Sequence, residues 1–327
     1  MAGKVRWGIL GTGWIADLFV KDLQMHGHAL TAVGSRSEAS ADAFAQRFGI
    51  ARAHGSYEAL CADPDIDAIY VATPHPMHHA NTLLALQNGK HALVEKAFTV
   101  NAREAQELAD LARARGLVVL EAMWTRFLPH IVRIREIVRS GVLGEIRSVV
   151  ADHTQDLPDD PKHRLNALEL GGGALLDLGI YPISFTFDVL GPPQEIVARA
   201  RLKETGADGT VATVFTYASG AIATTISASD TAGRNVATIH GTEGRIEIDK
   251  VWYAPTNFRR YDATDTVVED YQSAVIGRGM QYQAAELERL VAAGETAGDI
   301  LSPAESVAIM AALDEVRRQI GLKYPTE

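Results

Sequence analysis

Cysteine is nearly absent. Cys61 is the single one in 327 residues, which excludes an intramolecular disulfide and leaves nothing that calls for an oxidising compartment; a cytoplasmic setting fits. An excess of basic charge is also missing: 31 Lys and Arg stand against 41 Asp and Glu, a net charge of -10, with no concentrated Lys/Arg run. Binding a phosphate backbone needs such a concentration, so nucleic acid is not an expected partner and small molecules are favoured. Long apolar runs are lacking too. Val5 to Leu10 is short and runs straight into glycines, unlike a signal peptide. Ala174 to Leu190 is interrupted by Asp177, Pro182 and Asp188, so it reads as a buried element rather than a membrane span. Repeats and low-complexity tracts are absent. What remains, 47% hydrophobic and 22% charged, is the make-up of a soluble chain able to form two domains.

From Lys4 to about Glu121, short β-rich runs alternate with helix-length stretches, the signature of parallel strands joined by right-handed crossovers. Strands are predicted at Val5 to Leu10, Ala29 to Gly34, Ala68 to Ala72, His91 to Val94 and Leu117 to Glu121. Helices are predicted over Ala39 to Phe48 and Asn101 to Arg115, the second opening on an Asn cap and closing before Gly116. Past Met123 come a helix near Ile131 to Arg139, a strand from Glu145, a glycine-led helix after Gly171 and a run of strands. Val211 to Tyr217 and Ala221 to Ser227 alternate as one hairpin, and Asn235 to His240 with Arg245 to Ile248 as another. Helices return over Gln281 to Ala292 and Pro303 to Ile320. The fold class is α/β, with a doubly wound parallel-sheet domain over 1–123. An α+β domain over 124–327 is expected to carry a large, mostly antiparallel open sheet and is the candidate for substrate binding and dimerisation.

Gly11-Thr12-Gly13-Trp14-Ile15-Ala16 fits G-x-G-x-x-G/A between a strand and a helix, so the first domain reads as a Rossmann domain whose helix N-terminal amides face a pyrophosphate. Gly11 permits the turn, Gly13 lets phosphates approach the backbone, and Ala16 allows close packing. The second strand ends at Gly34-Ser35-Arg36-Ser37, without the acidic residue that holds an NAD ribose. Arg36 can instead pair with a 2′-phosphate and Ser35 or Ser37 can hydrogen-bond it, which predicts NADP, with NAD possible as a second cofactor. A plain surface arginine is the alternative. Glu95-Lys96 follows the next strand but one at its carboxyl end, where such sheets place ligands. Lys96 there can lie beside the nicotinamide and the reacting hydroxyl, with Glu95 on the nicotinamide ribose; an ordinary solvated pair is the competing reading.

The chain resembles the Gfo/Idh/MocA oxidoreductase family. The resemblance rests on the glycine loop, Ala72-Thr73-Pro74-His75, Glu95-Lys96, Gly171-Gly172-Gly173 with Asp177, and Gly241-Thr242-Glu243-Gly244. Val94-Glu95-Lys96, Glu121 to Phe127 and Leu175 to Tyr181 are similar to the branch that holds dimeric dihydrodiol dehydrogenase and NADP-dependent D-xylose dehydrogenase. The resemblance implies that Lys96 is the central catalytic residue and that Thr73, Pro74, His75 and His78 lie along the cofactor. One departure stands out: Ala97 occupies the position where the family usually has proline, so the turn lacks that restraint on φ.

Asp177 and Tyr181 are four apart, a spacing that puts two side chains on one helical face. Alcohol oxidation sends hydride to the nicotinamide and needs a base for the hydroxyl proton. Tyr181 is the chosen base, since an ammonium such as that of Lys96 favours its phenolate; Asp177 would orient the hydroxyl or the lysine. A buried aromatic and a helix cap are the structural alternatives. Trp124 and Arg126 are expected at the cofactor, near the domain junction. Trp124, His153, Arg164 and Trp252, together with Tyr253, are candidates for the substrate. The cluster His75, His78 and His79 is not read as a metal site, for want of matching ligands. Small residues at Ala221, Ala223, Thr225 and Ser227 suggest a flat outer face for a homodimer or higher homo-oligomer. The expected activity is NADP-linked oxidoreduction of a sugar, polyol or cyclic diol; the alternative is a non-catalytic NADP sensor of the same fold.

Overall fold

A computed structural model describes residues 4–325. The chain forms two units, the first running through Trp124 and taking in Gly277–Val307, the second formed by Thr125–Ile276 and the chain from Ala308 onward. The expected boundary after residue 123 therefore lies one residue later, and the assignment of all of 124–327 to the second domain is corrected. Gly277–Val307 folds with the first unit because the carboxylate of Asp22 accepts from the backbone N–H of Arg278 and Met280 (2.8 Å to the latter). In the same unit Glu288 accepts from the Trp7 indole at 2.8 Å.

In the first unit, β1 (Arg6–Leu10), α1 (Trp14–Met25), β2 (Ala29–Gly34), α2 (Glu38–Phe48), β3 (Arg52–His54), α3 (Tyr57–Ala62), β4 (Ala68–Val71), α4 (His78–Gln87), β5 (His91–Glu95), α5 (Ala102–Arg115) and β6 (Val119–Ala122) alternate. The sheet order is β3-β2-β1-β4-β5-β6, all parallel, so the winding reverses between β1 and β4, where such sheets open a crevice at their carboxyl ends. Local chemistry accounts for the helices. Asn101 accepts from Glu104 N at 3.0 Å to start α5, and Gly116 ends it in the left-handed conformation. Trp7, Phe19 and Tyr70 fill the core, the last two stacked at 3.8 Å.

In the second unit, α6 (Pro129–Arg139), β7 (Ile146–Thr154), α7 (Ile180–Leu190), β8 (Glu195–Leu202), β9 (Asp208–Thr216), β10 (Ile222–Ala228), β11 (Ala237–Gly241), β12 (Gly244–Ile248), β13 (Phe258–Asp262) and β14 (Val267–Tyr271) form a helical layer against an eight-stranded sheet. Its order is β14-β13-β12-β11-β7-β10-β9-β8, antiparallel except for β7 beside β10. Both expected hairpins form, as β9–β10 and β11–β12. A widened π-type turn over Leu175–Gly179 leads into α7. Leu168–Leu190 is long and apolar enough to cross a membrane by composition, but most of it is buried inside the protein. The chain closes with α8 (Gln281–Ala293) and α9 (Pro303–Ile320).

The face of β10 is the reverse of the expected one. Ala221, Ala223, Thr225 and Ser227 point inward and are buried, and Ile222, Thr224 and Ile226 point outward. The small residues are needed inside, where the helical layer comes close: a Cβ on Gly179 would lie 2.9 Å from the Ser227 hydroxyl.

Candidate active site

The first cluster surrounds the glycine loop. Gly11 adopts φ +107°, and a Cβ there would lie 2.9 Å from the Ala72 carbonyl oxygen, so the turn between β1 and α1 accepts only glycine. Gly13 is the N-cap of α1, offers no side-chain cap, and faces open space where a Cβ would be. Unsatisfied amides opening onto free space at a helix N-terminus are what a pyrophosphate needs, so these residues fit a dinucleotide. At the end of β2, Ser35 is buried; Arg36 is exposed and makes no ion pair with any described residue.

The loop carrying Lys96 is fixed from beneath. The Lys96–Ala97 peptide is cis. His75 Nε2 contacts the Lys96 carbonyl at 3.2 Å, and Phe98 N donates to Glu121 at 3.1 Å. Glu121 also accepts from the Ser306 hydroxyl at 2.8 Å. Tyr70 donates its hydroxyl to the carboxylate of Glu95. His78 is fully enclosed, with its two ring nitrogens 2.8 Å from the carbonyls of Ala97 and Thr73, so its expected place along the cofactor is corrected: it ties two loops together from inside. Burial holds its pKa below the usual histidine range. The restraint that proline would give this turn is supplied here by side-chain bonds to its backbone.

The second cluster lies on the helical layer of the other unit. Tyr181 and Asp177 are both nearly buried. Tyr181 meets His153 edge to face at 4.8 Å and is tilted against Tyr253 at 5.5 Å, while His153 stacks on Tyr253 at 3.7 Å. Gln155 donates to His153 Nε2 at 2.8 Å and lies 3.3 Å from the Tyr253 hydroxyl. Arg164 pairs with Asp177 at 3.2 Å. Of the residues expected from sequence, Tyr181 and His153 thus come together, and Asp177 and Arg164 form a separate pair in the same unit. Trp252 does not join them. Its side chain is wholly buried, packs on Phe185 and donates to the Asp152 carbonyl at 2.7 Å, so it is a core residue and its neighbour Tyr253 takes the place expected for it.

Arg126 is likewise placed differently. It is nearly buried, with ion-pair partner Asp188 at 3.2 Å, and Asp188 also takes a two-pronged bond from Arg135. A desolvated cation needs that compensation, which makes Arg126 structural. Trp124 is buried in the first unit beneath the guanidinium of Arg278. Among the described residues no three His, Cys, Asp or Glu side chains are placed to hold a metal.

Sequence reasoning missed Asp208. This fully buried carboxylate accepts from Leu175 N at 2.6 Å, at the start of the turn that bears Asp177, and a Cβ on Gly173 would collide with it. Burial raises its pKa to about 7. No motif marks it, because its partner is a backbone amide far away in sequence.

A glycine turn open at the N-terminus of α1, at the switch point of a doubly wound parallel sheet, is the arrangement of a dinucleotide-binding oxidoreductase domain. Residues 5–123 match the oxidoreductase family with the NAD-binding Rossmann fold, and residues 131–247 match the GFO/IDH/MocA C-terminal domain. The chain is 35% identical to trans-1,2-dihydrobenzene-1,2-diol dehydrogenase of Mus musculus, covering 99% of each protein. It is also 35% identical to D-xylose 1-dehydrogenase (NADP(+)) of Hypocrea jecorina, covering 98% of this chain and 93% of that one. Among solved structures, a 3-ketoreductase from Actinomadura kijaniata in complex with NADP and TDP-benzene superposes with a TM-score of 0.86 at 28% identity, over 97% of this chain and 98% of that chain. The chain belongs to the GFO/IDH/MocA family and is an oxidoreductase with an NAD-binding Rossmann fold.

Proposed function

We propose that this protein transfers hydride reversibly between NADP and the hydroxyl-bearing carbon of a sugar, polyol or cyclic diol, with Tyr181 moving the proton. The observation that carries this reading is the cluster of Tyr181, His153 and Tyr253: a nearly buried phenol set against an imidazole and a second phenol ring, four residues along the chain from the nearly buried Asp177. Aromatic faces suit the C–H faces of a sugar or diol ring, and Asp177 with Arg164 offers hydroxyl-binding groups. The relatives named above act on a diol and on a sugar, which supports the same substrate class.

NADP, when bound, accepts or returns the hydride. Gly11, Thr12, Gly13, Trp14 and Ile15 would hold its diphosphate, Ser35 and Arg36 its 2′-phosphate, and Thr73, Pro74, His75 and Glu95 the nicotinamide side. Lys96 is assigned the stabilisation of negative charge on the reacting oxygen. In oxidation the hydroxyl proton passes to the Tyr181 phenolate oxygen; in reduction the phenol returns it. The test is a panel of sugars, polyols and diols with NADP and NAD, following absorbance of the reduced cofactor. Turnover with NADP supports the reading. Tight NADP binding with no turnover on any member would contradict it and favour a sensor.

The outward sheet face supports a homodimer. Val150, Val214, Ile222 and Ile226 stand about half exposed on neighbouring strands, an apolar patch of the kind that associates. A buried, unpaired Cys61 accords with a reducing, cytoplasmic setting.

A further inference from the structure

Arg278 is a cation with no assigned task. Its backbone N–H is held by Asp22 on α1 at 3.0 Å, which anchors the segment leading into α8 along that helix. Its guanidinium lies over two indoles, 4.9 Å from the ring centre of Trp124 and 5.5 Å from that of Trp14. No carboxylate among the described residues pairs with it, and its Nε is buried without a hydrogen-bond partner. Two aromatic faces restrict where a guanidinium can point but do not neutralise its charge. Trp14 is the first residue of α1 and directly follows Gly13, so the guanidinium over its ring belongs to the end of the helix whose amides are uncapped.

We infer that Arg278 is a cofactor-binding residue whose guanidinium pairs with the diphosphate bridge of the dinucleotide at the N-terminus of α1, held in aim by Trp14 and Trp124. The inference rests on the proposal that the chain binds NADP. A planar guanidinium matches two phosphate oxygens at once, which an ammonium cannot do. The diphosphate is common to NADP and NAD, whereas the 2′-phosphate is not. The two arginines should therefore separate: Arg278→Ala weakens NADP and NAD equally, and Arg36→Ala weakens NADP alone.

The experiment is titration of the full-length protein with NADP and with NAD, by calorimetry and by quenching of indole fluorescence, for native protein and for the Arg278→Ala, Arg278→Lys and Arg36→Ala variants. Loss of one charge-assisted contact is expected to raise Kd for both cofactors by about ten- to a hundred-fold in Arg278→Ala. Arg278→Lys should recover only part of the affinity, and the salt dependence of binding should be shallower in Arg278→Ala. Melting temperature of the cofactor-free protein shows whether the variant is folded. An Arg278→Ala protein that melts like native and binds both cofactors with native Kd overturns the inference. Failure of the native protein to bind either cofactor would instead overturn the proposal beneath it.

Discussion

Arg36 stands just past β2, exposed and without a carboxylate against it, at the position where a ribose contact decides between the two nicotinamide cofactors. Its replacement by alanine is expected to raise the Kd for NADP about ten- to a hundred-fold and leave that for NAD within a factor of about two, read by titration. Unchanged discrimination would remove Arg36 from the cofactor site. Gly11 gives a second prediction at this scale. An alanine there would have to occupy φ +107° with its Cβ 2.9 Å from a backbone oxygen, so Gly11→Ala should destabilise the protein by about 2 kcal/mol and abolish cofactor binding, as thermal melting and titration would show. Which individual side chains matter was only partly legible in the sequence. Trp252 and Tyr253 are adjacent aromatics, and only the local path of the chain decides that the first enters the core and the second stacks on His153. His78 fits the family pattern, yet its burial between two carbonyls follows from how α4 and the Lys96 turn pack, which no spacing encodes.

At the scale of elements, legibility followed local chemistry. The caps at Asn101 and Gly116, the turn between β9 and β10 and the Pro303 start of α9 are written into a few adjacent residues, and those elements form where expected. The faces of β10 are not legible in its sequence, because alternation fixes only that two faces differ; which one is inside depends on the small residues that let the helical layer approach. The turn into α7 depends on Asp208, and its titration is testable. Asp208 has its folded pKa raised from 3.8 to about 7, so its contribution is present at low pH and is lost as pH rises from about 4 through 7. His130 is the opposite case: burial lowers it from 6.5 to about 4, so the folded protein loses stability as pH falls through that interval. Each shift corresponds to roughly 3–4 kcal/mol across its window, and between about pH 4 and 6.5 the two oppose each other. The Asp208→Asn variant should therefore gain stability relative to native as pH rises from about 4 to 7, measured by denaturant unfolding at each pH. A constant difference would show that Asp208 keeps an ordinary pKa.

For the molecule as a whole, the apolar outward face of the eight-stranded sheet carries the prediction of self-association. Light scattering at micromolar concentration should give twice the chain mass, and Ile222→Asp with Ile226→Asp should halve it without lowering the melting temperature of the monomer by more than about 1 kcal/mol equivalent. A monomeric native protein would contradict this. The two-unit organisation was legible from the change from alternating strands and helices to successive hairpins. The return of Gly277–Val307 to the first unit was not, since it depends on Asp22 and Glu288 finding partners more than 250 residues away. In the proposed reaction Tyr181 transfers a proton during NADP-linked oxidation. The most direct measurement compares kcat and NADP Kd of native protein and Tyr181→Phe on whichever diol or sugar the panel identifies, across pH. The expected result is a fall in kcat of about a hundred-fold or more, loss of the ionisation that limits native turnover, and an unchanged Kd. A Tyr181→Phe enzyme with native kcat and the native pH profile would contradict it.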